Sequence, residues 1–208
     1  DLVLLRLINP VDNRQCPIKK YLSTINRQLS TVMSCILNID TSTLVCSLAL
    51  SADGEVLFEK ISFDGPSHAA LLGVFVEEAL AVLKAKALTL DAVAVSSGPG
   101  SYTGLRIGVS VAKGLCFGFG IPLIGIHTLD ILAATAIRQQ PLADGGLYCA
   151  MLDARRMEVY ATLYDAGLNT IRATSADVVD EQTYAAYLEK GTVCFFGNGA
   201  AKCREVIA

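Results

Sequence analysis

The order of short apolar runs along this 208-residue chain repeats once, and the repetition is the strongest constraint on its fold. Residues 147–168 match residues 34–55 at an offset of 113, and both stretches read as strand, Asp-led turn, strand and turn. Further along, the glycine turn at 197–199 matches the one at 98–100 at an offset of 99. Two matches in the same order indicate an internal duplication.

Each copy is predicted to be an α/β unit of three hairpin strands, a helix, a further strand, a glycine turn and another helix. Such a unit used twice is typical of the actin-like ATPase fold, in which two related α/β domains face a cleft. We therefore expect a first domain over residues 33–140 and a second, smaller domain over 146–208. Since the second copy stops at Ala208 inside its post-glycine helix, the pattern predicts a chain shortened at its C-terminus.

The first 32 residues differ in composition from the remainder of the chain. They contain neither alanine nor glycine, and they carry five Lys or Arg residues against two Asp residues. Met33 is the first methionine and stands directly before the first predicted strand. We interpret residues 1–32 as an upstream extension outside the native fold.

Charge and hydropathy exclude several classes of protein. The formal net charge is −3, which gives no overall attraction to nucleic acid or to a membrane surface. The longest apolar stretch without a charge, residues 114–126, is shorter than the ~20 residues that a spanning helix needs. The seven cysteines form no CxxC pair, and the two histidines lie far apart in the sequence, so the spacing matches no zinc-binding motif. We expect a cytoplasmic protein whose apolar runs contain reduced core cysteines: Cys35, Cys46, Cys116 and Cys149.

The segment SSGPGSYTGLRIG at residues 96–108 is the most specific motif. It lacks the third glycine of a dinucleotide-binding fingerprint and the lysine of a P-loop. It does provide a turn from a buried strand into a helix N-terminus, where free N–H groups can receive an anion. The alternative is close packing between strand and helix, which also requires small residues.

This segment, with ILNIDTST at 36–43 and MLDARRMEVYA at 151–161, resembles the TsaB (YeaZ) family from residue 33 to at least residue 199. The resemblance implies an actin-like fold and a partner subunit of TsaD, the transferase that modifies adenosine 37 of tRNA with threonylcarbamoyl. It further implies a heterodimer with TsaD through the first-domain helices, a homodimer when alone, a TsaE-type ATPase in the larger complex, indirect contact with tRNA and no membrane.

The resemblance also implies that this chain is not itself the catalyst. TsaD carries an HxxxH metal motif on the helix that follows its third strand, whereas here His68 is followed by Leu72 at the second histidine position. One histidine cannot hold a catalytic metal, and no protease triad can be assembled. ATP and a metal are therefore expected in TsaD, and no cofactor, metal ligand or catalytic residue is predicted in this chain alone.

The turn after the first strand is a candidate phosphate site. Asp40 ends that strand in the hairpin where actin-like ATPases hold phosphate and Mg²⁺, but this turn contains no glycine. The alternative is that its side chains satisfy local N–H groups. A free-standing ATP-dependent kinase or carbamoyl-type transferase is the second functional hypothesis, and it would use Asp40, Thr41, Ser42, Gly98 and Gly100.

Two helices of the first domain are predicted to form a protein interface. In residues 68–86, 13 of 19 residues are Ala, Val, Leu or Phe, so this helix is apolar nearly all round. The helix over 103–117 has one narrow polar stripe. Burial inside the domain itself is the alternative to an interface. The predicted interface residues are Leu71, Leu72, Phe75, Val76, Leu105, Arg106 and Val109.

Two adjacent arginines, Arg155 and Arg156, follow Asp153 in the matching turn of the second copy. Paired guanidinium groups suit an acidic partner or a phosphate backbone. The sequence leaves both options open.

Overall fold

The computed structural model describes residues 34–64, 67–142 and 145–207, which divide into a first unit, 34–128, and a second unit, 129–207. The extension predicted at 1–32 lies outside the described residues.

The first unit is built on a five-stranded sheet. Its strands are β1 (Cys35–Asp40), β2 (Cys46–Ala52), β3 (Glu55–Ser62), β4 (Ala92–Ser96) and β5 (Leu123–Ile126), and their order in the sheet is β3-β2-β1-β4-β5. Strands β1, β2 and β3 form an antiparallel meander, and β4 and β5 continue the sheet parallel to β1. Asp53 and Gly54 join β2 to β3 with positive φ values of 51° and 83°, as a tight hairpin turn requires, so the turn predicted at the end of the 34–55 stretch is confirmed.

Two long helices, α1 (His68–Ala85) and α2 (Tyr102–Phe119), pack on one face of this sheet. Helix α2 begins where the Ser101 Oγ accepts a hydrogen bond from the Gly104 N–H at 3.3 Å, and it ends at Gly120, whose φ is 66°. The shared core combines alternate residues of β1 and β2 with the inner face of α1: Leu37, Ile39, Leu48, Leu50, Leu72, Phe75 and Val76.

The second unit repeats this pairing pattern in a four-stranded sheet. Its strands are β6 (Leu147–Asp153), β7 (Glu158–Tyr164), β8 (Thr170–Val178) and β9 (Val193–Phe196), in the order β8-β7-β6-β9. Strand β6 pairs antiparallel with β7 and parallel with β9, as β1 does with β2 and β4. Asp153 ends β6 as Asp40 ends β1. The predicted duplication in an α/β actin-like fold is therefore confirmed.

Helices lie on both faces of the second sheet. Helix α4 (Ala185–Leu188), the short counterpart of α1, and α5 (Ala200–Ile207) accompany one face. Helix α3 (Thr128–Gln139) falls within the first domain as predicted over 33–140, but its buried side chains pack on the other face of the second sheet, against Tyr148 and Phe196. Packing therefore divides the chain near residue 128 and not near 140.

No helix within residues 34–64, 67–142 and 145–207 is long and apolar enough to cross a membrane.

The cysteines of the first unit differ in burial. Cys35 and Cys46 are core residues of β1 and β2, and burial raises the pKa of each thiol to about 11. Cys116 on α2 is half-buried, and its thiol donates a hydrogen bond to the Pro122 carbonyl at 3.4 Å. Burial also raises the pKa of the Cys116 thiol, so its greater exposure is what distinguishes it from the two strand thiols.

Brief alkylation of the native full chain at pH 8 is expected to modify Cys116 well before Cys35 or Cys46. The two strand thiols are covered by the core, and a pKa of about 11 leaves them protonated at pH 8. Peptide mass spectrometry after timed iodoacetamide quenches measures the three sites separately, and labelling in denaturant supplies the upper limit. Labelling of Cys35 at the rate of Cys116 would contradict this packing.

Candidate functional site

The turn that follows β1 packs directly on the glycine loop that precedes α2. The Thr41 Oγ1 donates a hydrogen bond to the Gly104 carbonyl at 2.7 Å, and the Ser101 N–H donates to the Ser42 carbonyl at 2.6 Å. Within the turn, the Asp40 carboxylate accepts from the Ser42 N–H at 2.9 Å. The motif around residue 100 and the motif around residue 40 therefore form one contact.

Three glycines make this contact possible. A Cβ on Gly100 would lie 2.4 Å from the Ser42 carbonyl oxygen, and one on Gly104 would lie 2.1 Å from the Thr41 carbonyl oxygen. On Gly108 it would meet the Thr41 Oγ1 at 2.3 Å. Only glycine allows the turn to approach the helix this closely.

The same contact leaves little room for a phosphate. Thr41 and Ser42 are 0% and 1% exposed, Gly98 is buried, and the Ser101 N–H is already used by a protein carbonyl. The geometry favours the packing alternative at this turn. Phosphate contacts by Asp40, Thr41, Ser42, Gly98 and Gly100 remain a prediction.

Helix α1 turns its large side chains inward. Leu72 is 0% exposed, and Phe75 and Val76 are each 8% exposed, because the i, i+3, i+4 spacing puts all three on the sheet side. The prediction that these three residues form an interface is wrong, since the domain's own core covers them.

The other predicted interface residues lie nearer the surface. Leu71 and Val109 are half-buried against the same core, and Leu105 is half-buried on α2. Arg106 is exposed, with its guanidinium 4.8 Å from the centre of the Tyr102 ring. On α1 the predicted face is therefore the buried one, and an interface formed by the helix pair stays a prediction.

Small residues form most of the exposed side of the first two turns of α1, and Glu77 is exposed one turn further along. Ala69, Ala70 and Gly73 are exposed, Val74 is 49% exposed, and a Cβ built on Gly73 meets no atom within 4 Å. A groove of about 440 Å³, here called the outer groove, runs between α1 and α2. It is lined by Ala69, Tyr102, Thr103, Arg106, Ile107, Ser110 and Val111.

The turn between β6 and β7 is the third feature. Arg155 and Arg156 follow Asp153 with φ values of 71° and 45°, which are unfavourable for residues that carry a side chain. Hydrogen bonds close the turn, because the Arg155 N–H donates to the Asp153 carboxylate at 3.0 Å and the Glu158 N–H donates to the Arg155 carbonyl at 3.1 Å.

Lys202 on α5 stabilises this turn through hydrogen bonds from its side chain. Its ammonium group donates to the Asp153 carboxylate and, at 2.7 Å each, to the carbonyls of Arg156 and Glu158. The hydrogen bond from Lys202 lowers the pKa of Asp153 below its ordinary value. The sequence analysis missed Lys202, whose only signal is its place three residues after the Gly197–Gly199 turn. Both arginine side chains remain exposed.

Helix α1 carries one histidine, whereas the TsaD metal motif requires two. His68 is buried at the start of α1, and Leu72 one turn later is in the apolar core. Within 34–64, 67–142 and 145–207, no three His, Cys, Asp or Glu side chains cluster as a metal site.

Comparison with known proteins adds a family assignment. Residues 65–206 match the family model described as TsaD: tRNA N6-adenosine threonylcarbamoyltransferase. The chain is 37% identical over 138 residues to the tRNA threonylcarbamoyladenosine biosynthesis protein TsaB of Escherichia coli, covering 65% of this chain and 57% of that protein. The TsaB protein of Bacillus subtilis is 36% identical over 129 residues, covering 62% and 54%.

Among solved structures, YeaZ from Pseudomonas aeruginosa superposes with a TM-score of 0.60 at 30% identity, covering 73% of this chain and 69% of that chain. The chain thus spans a little over half the length of the two TsaB proteins it matches.

Proposed function

Because this chain belongs to the TsaB/YeaZ family, we propose that it is a non-catalytic partner subunit that pairs with TsaD in the synthesis of threonylcarbamoyladenosine in tRNA. The observation that carries the pairing is the exposed side of α1 with the outer groove beside it. Ala69, Ala70 and Gly73 allow another backbone to approach closely, and Arg106 with Tyr102 offers a charged and aromatic anchor beside them.

The metal chemistry is proposed to belong to the partner. Leu72 stands where the TsaD motif has its second histidine, and its side chain lies in the apolar core of the first unit. A single buried imidazole at His68 provides too few ligands for a catalytic metal. TsaD would supply the metal, the ATP site and the transfer step.

The closed turn after β1 also supports the proposal that TsaD, and not this chain, binds ATP. An ATP-dependent enzyme would need a phosphate beside Asp40, where Thr41 and Ser42 are covered by the glycine loop. We therefore propose that this chain alone takes no cofactor, self-associates through the helix pair when TsaD is absent, and joins a TsaE-type ATPase only through the larger complex.

Gly73→Arg is expected to weaken pairing with TsaD at least tenfold while leaving the fold intact. The new side chain starts in open space, and replacing a helical glycine improves helix propensity. In a complex, the same side chain would bring bulk and charge into the contact. Titration calorimetry with purified TsaD measures the affinity, and light scattering measures self-association.

Gly191→Arg is the matched control. Gly191 is exposed in the second unit, and a Cβ built on it would lie 4.0 Å from the nearest atom, the Gly145 carbonyl oxygen. It adds the same charge and should pair normally. Wild-type affinity for TsaD in the Gly73 variant would refute the proposed docking face.

A further inference from the structure

Two adjacent guanidinium groups are exposed at the turn between β6 and β7. Neither Arg155 nor Arg156 forms an ion pair within the part of the chain that the structure describes, and the nearby Asp153 carboxylate is already held by Lys202. The turn region thus carries three cations against the two carboxylates of Asp153 and Glu158, in a chain whose net charge is −3. This local excess is opposite in sign to the charge of the whole chain.

The backbone that carries these arginines is held in an unfavourable conformation. Two consecutive non-glycine residues adopt left-handed φ values, and the Lys202 ammonium group binds the carbonyls on either side of Met157, at Arg156 and Glu158. Glycine at either position would relieve the strain. Strain that is kept at charged, exposed residues points to a role for those side chains.

The first repeat shows that the fold does not need arginines here. At the offset of 113, Arg155 and Arg156 match Ser42, which is buried against the glycine loop, and Thr43, which is half-buried, whereas both arginines are exposed. The glycine loop of the second repeat packs closely on β6 instead, since a Cβ on Gly197 would lie 2.2 Å from the Met151 carbonyl oxygen. The outward arginines are thus an addition to a shared scaffold.

We propose, on the basis of the proposed function, that the Arg155–Arg156 turn binds phosphate groups of the tRNA backbone directly. Guanidinium groups match phosphate oxygens with paired hydrogen bonds. Helix α5 begins beside the turn, since Asn198, two residues before the helix, accepts a hydrogen bond from the Asp153 N–H. The positive end of the helix dipole therefore adds positive potential at the turn. RNA is preferred to an acidic protein because a phosphate backbone is bound through charge alone, which two exposed guanidinium groups supply.

The test measures tRNA binding by the full chain, alone and with TsaD, using fluorescence anisotropy of a labelled tRNA transcript between 50 and 200 mM salt. The double variant Arg155→Gln/Arg156→Gln is expected to bind about tenfold more weakly at the lowest salt. The plot of log affinity against log salt concentration should become less steep by about 1.5, because each lost phosphate contact reduces the magnitude of its slope by about 0.7–0.9. Lys190→Gln/Arg204→Gln is the matched control, because it removes two exposed charges from the same unit.

Several outcomes would overturn the inference. Equal affinity and equal slope for the two double variants would leave the turn without a role in RNA binding, as would a wild-type chain that adds no tRNA affinity either alone or with TsaD. A turn variant that loses its pairing with TsaD would make the turn a protein contact. If wild-type chain fails to pair with TsaD but tRNA binding still depends on the arginines, the proposed function fails and this inference stands.

Discussion

Replacing Leu72 by arginine is expected to leave no folded protein at 25 °C. Leu72 is fully buried between α1 and the first sheet, so the change removes core packing and places an unpaired charge in an apolar interior. Losing the leucine side chain alone costs about 2–5 kcal/mol, and an unpaired buried charge adds several more. Together these costs approach the whole stability of an ordinary domain, about 5–15 kcal/mol. Circular dichroism and a thermal melt measure the loss.

The neighbouring residue supplies the control, because Gly73→Arg introduces the same side chain one position along α1 in open space. That variant should melt close to the wild-type temperature. A cooperatively folded Leu72→Arg variant would mean that the inner face of α1 is not a core. Loss of TsaD pairing by Leu72→Arg says nothing about an interface, since an unfolded chain pairs with nothing.

Gly104→Ala is expected to lower the free energy of unfolding by about 3 kcal/mol or more. The added Cβ would lie 2.1 Å from the Thr41 carbonyl oxygen, and neither the helix nor the strand end can move without breaking the Thr41–Gly104 hydrogen bond. Overpacking a tight site costs typically 1–3 kcal/mol, and here a hydrogen bond is lost as well. Urea denaturation of the full chain measures the change.

Gly114→Ala on the same helix is the matched control. Its Cβ meets no atom within 4 Å, so only the gain in helix propensity remains, about 1 kcal/mol of stabilisation. Opposite signs for the two alanine variants would establish that the glycine motif serves close packing. A stabilised Gly104→Ala variant would contradict the contact.

Local patterns predicted the elements of the fold well. The glycine turns lie at 98–100 and 197–199, where the sequence analysis predicted them, because glycine-rich segments mark turns locally. The duplication was also predictable, since strand, Asp-led turn and strand recur at a fixed offset. Each of these predictions depends only on residues that are close together in the sequence, so it needs no knowledge of tertiary contacts.

Which helix face is buried could not be predicted for α1. Its residues are apolar nearly all round, so periodicity could not separate the large inner side chains, such as Leu72, from the small outer ones, such as Ala69. Side-chain size carried the missing information. Lys202 was missed for another reason: its role depends on the carbonyls of a turn more than 40 residues earlier in the chain.

The parallel pairing of β1 with β4 has a consequence for biosynthesis. The β1–β3 meander contains only local contacts and can form as soon as residue 62 has left the ribosome, whereas β4, α1 and α2 must follow before its apolar face is covered. At ordinary elongation rates, that interval lasts several seconds. We expect a nascent sheet with an open edge at β1 during this time, which is the kind of surface that chaperones retain and that aggregates when they do not.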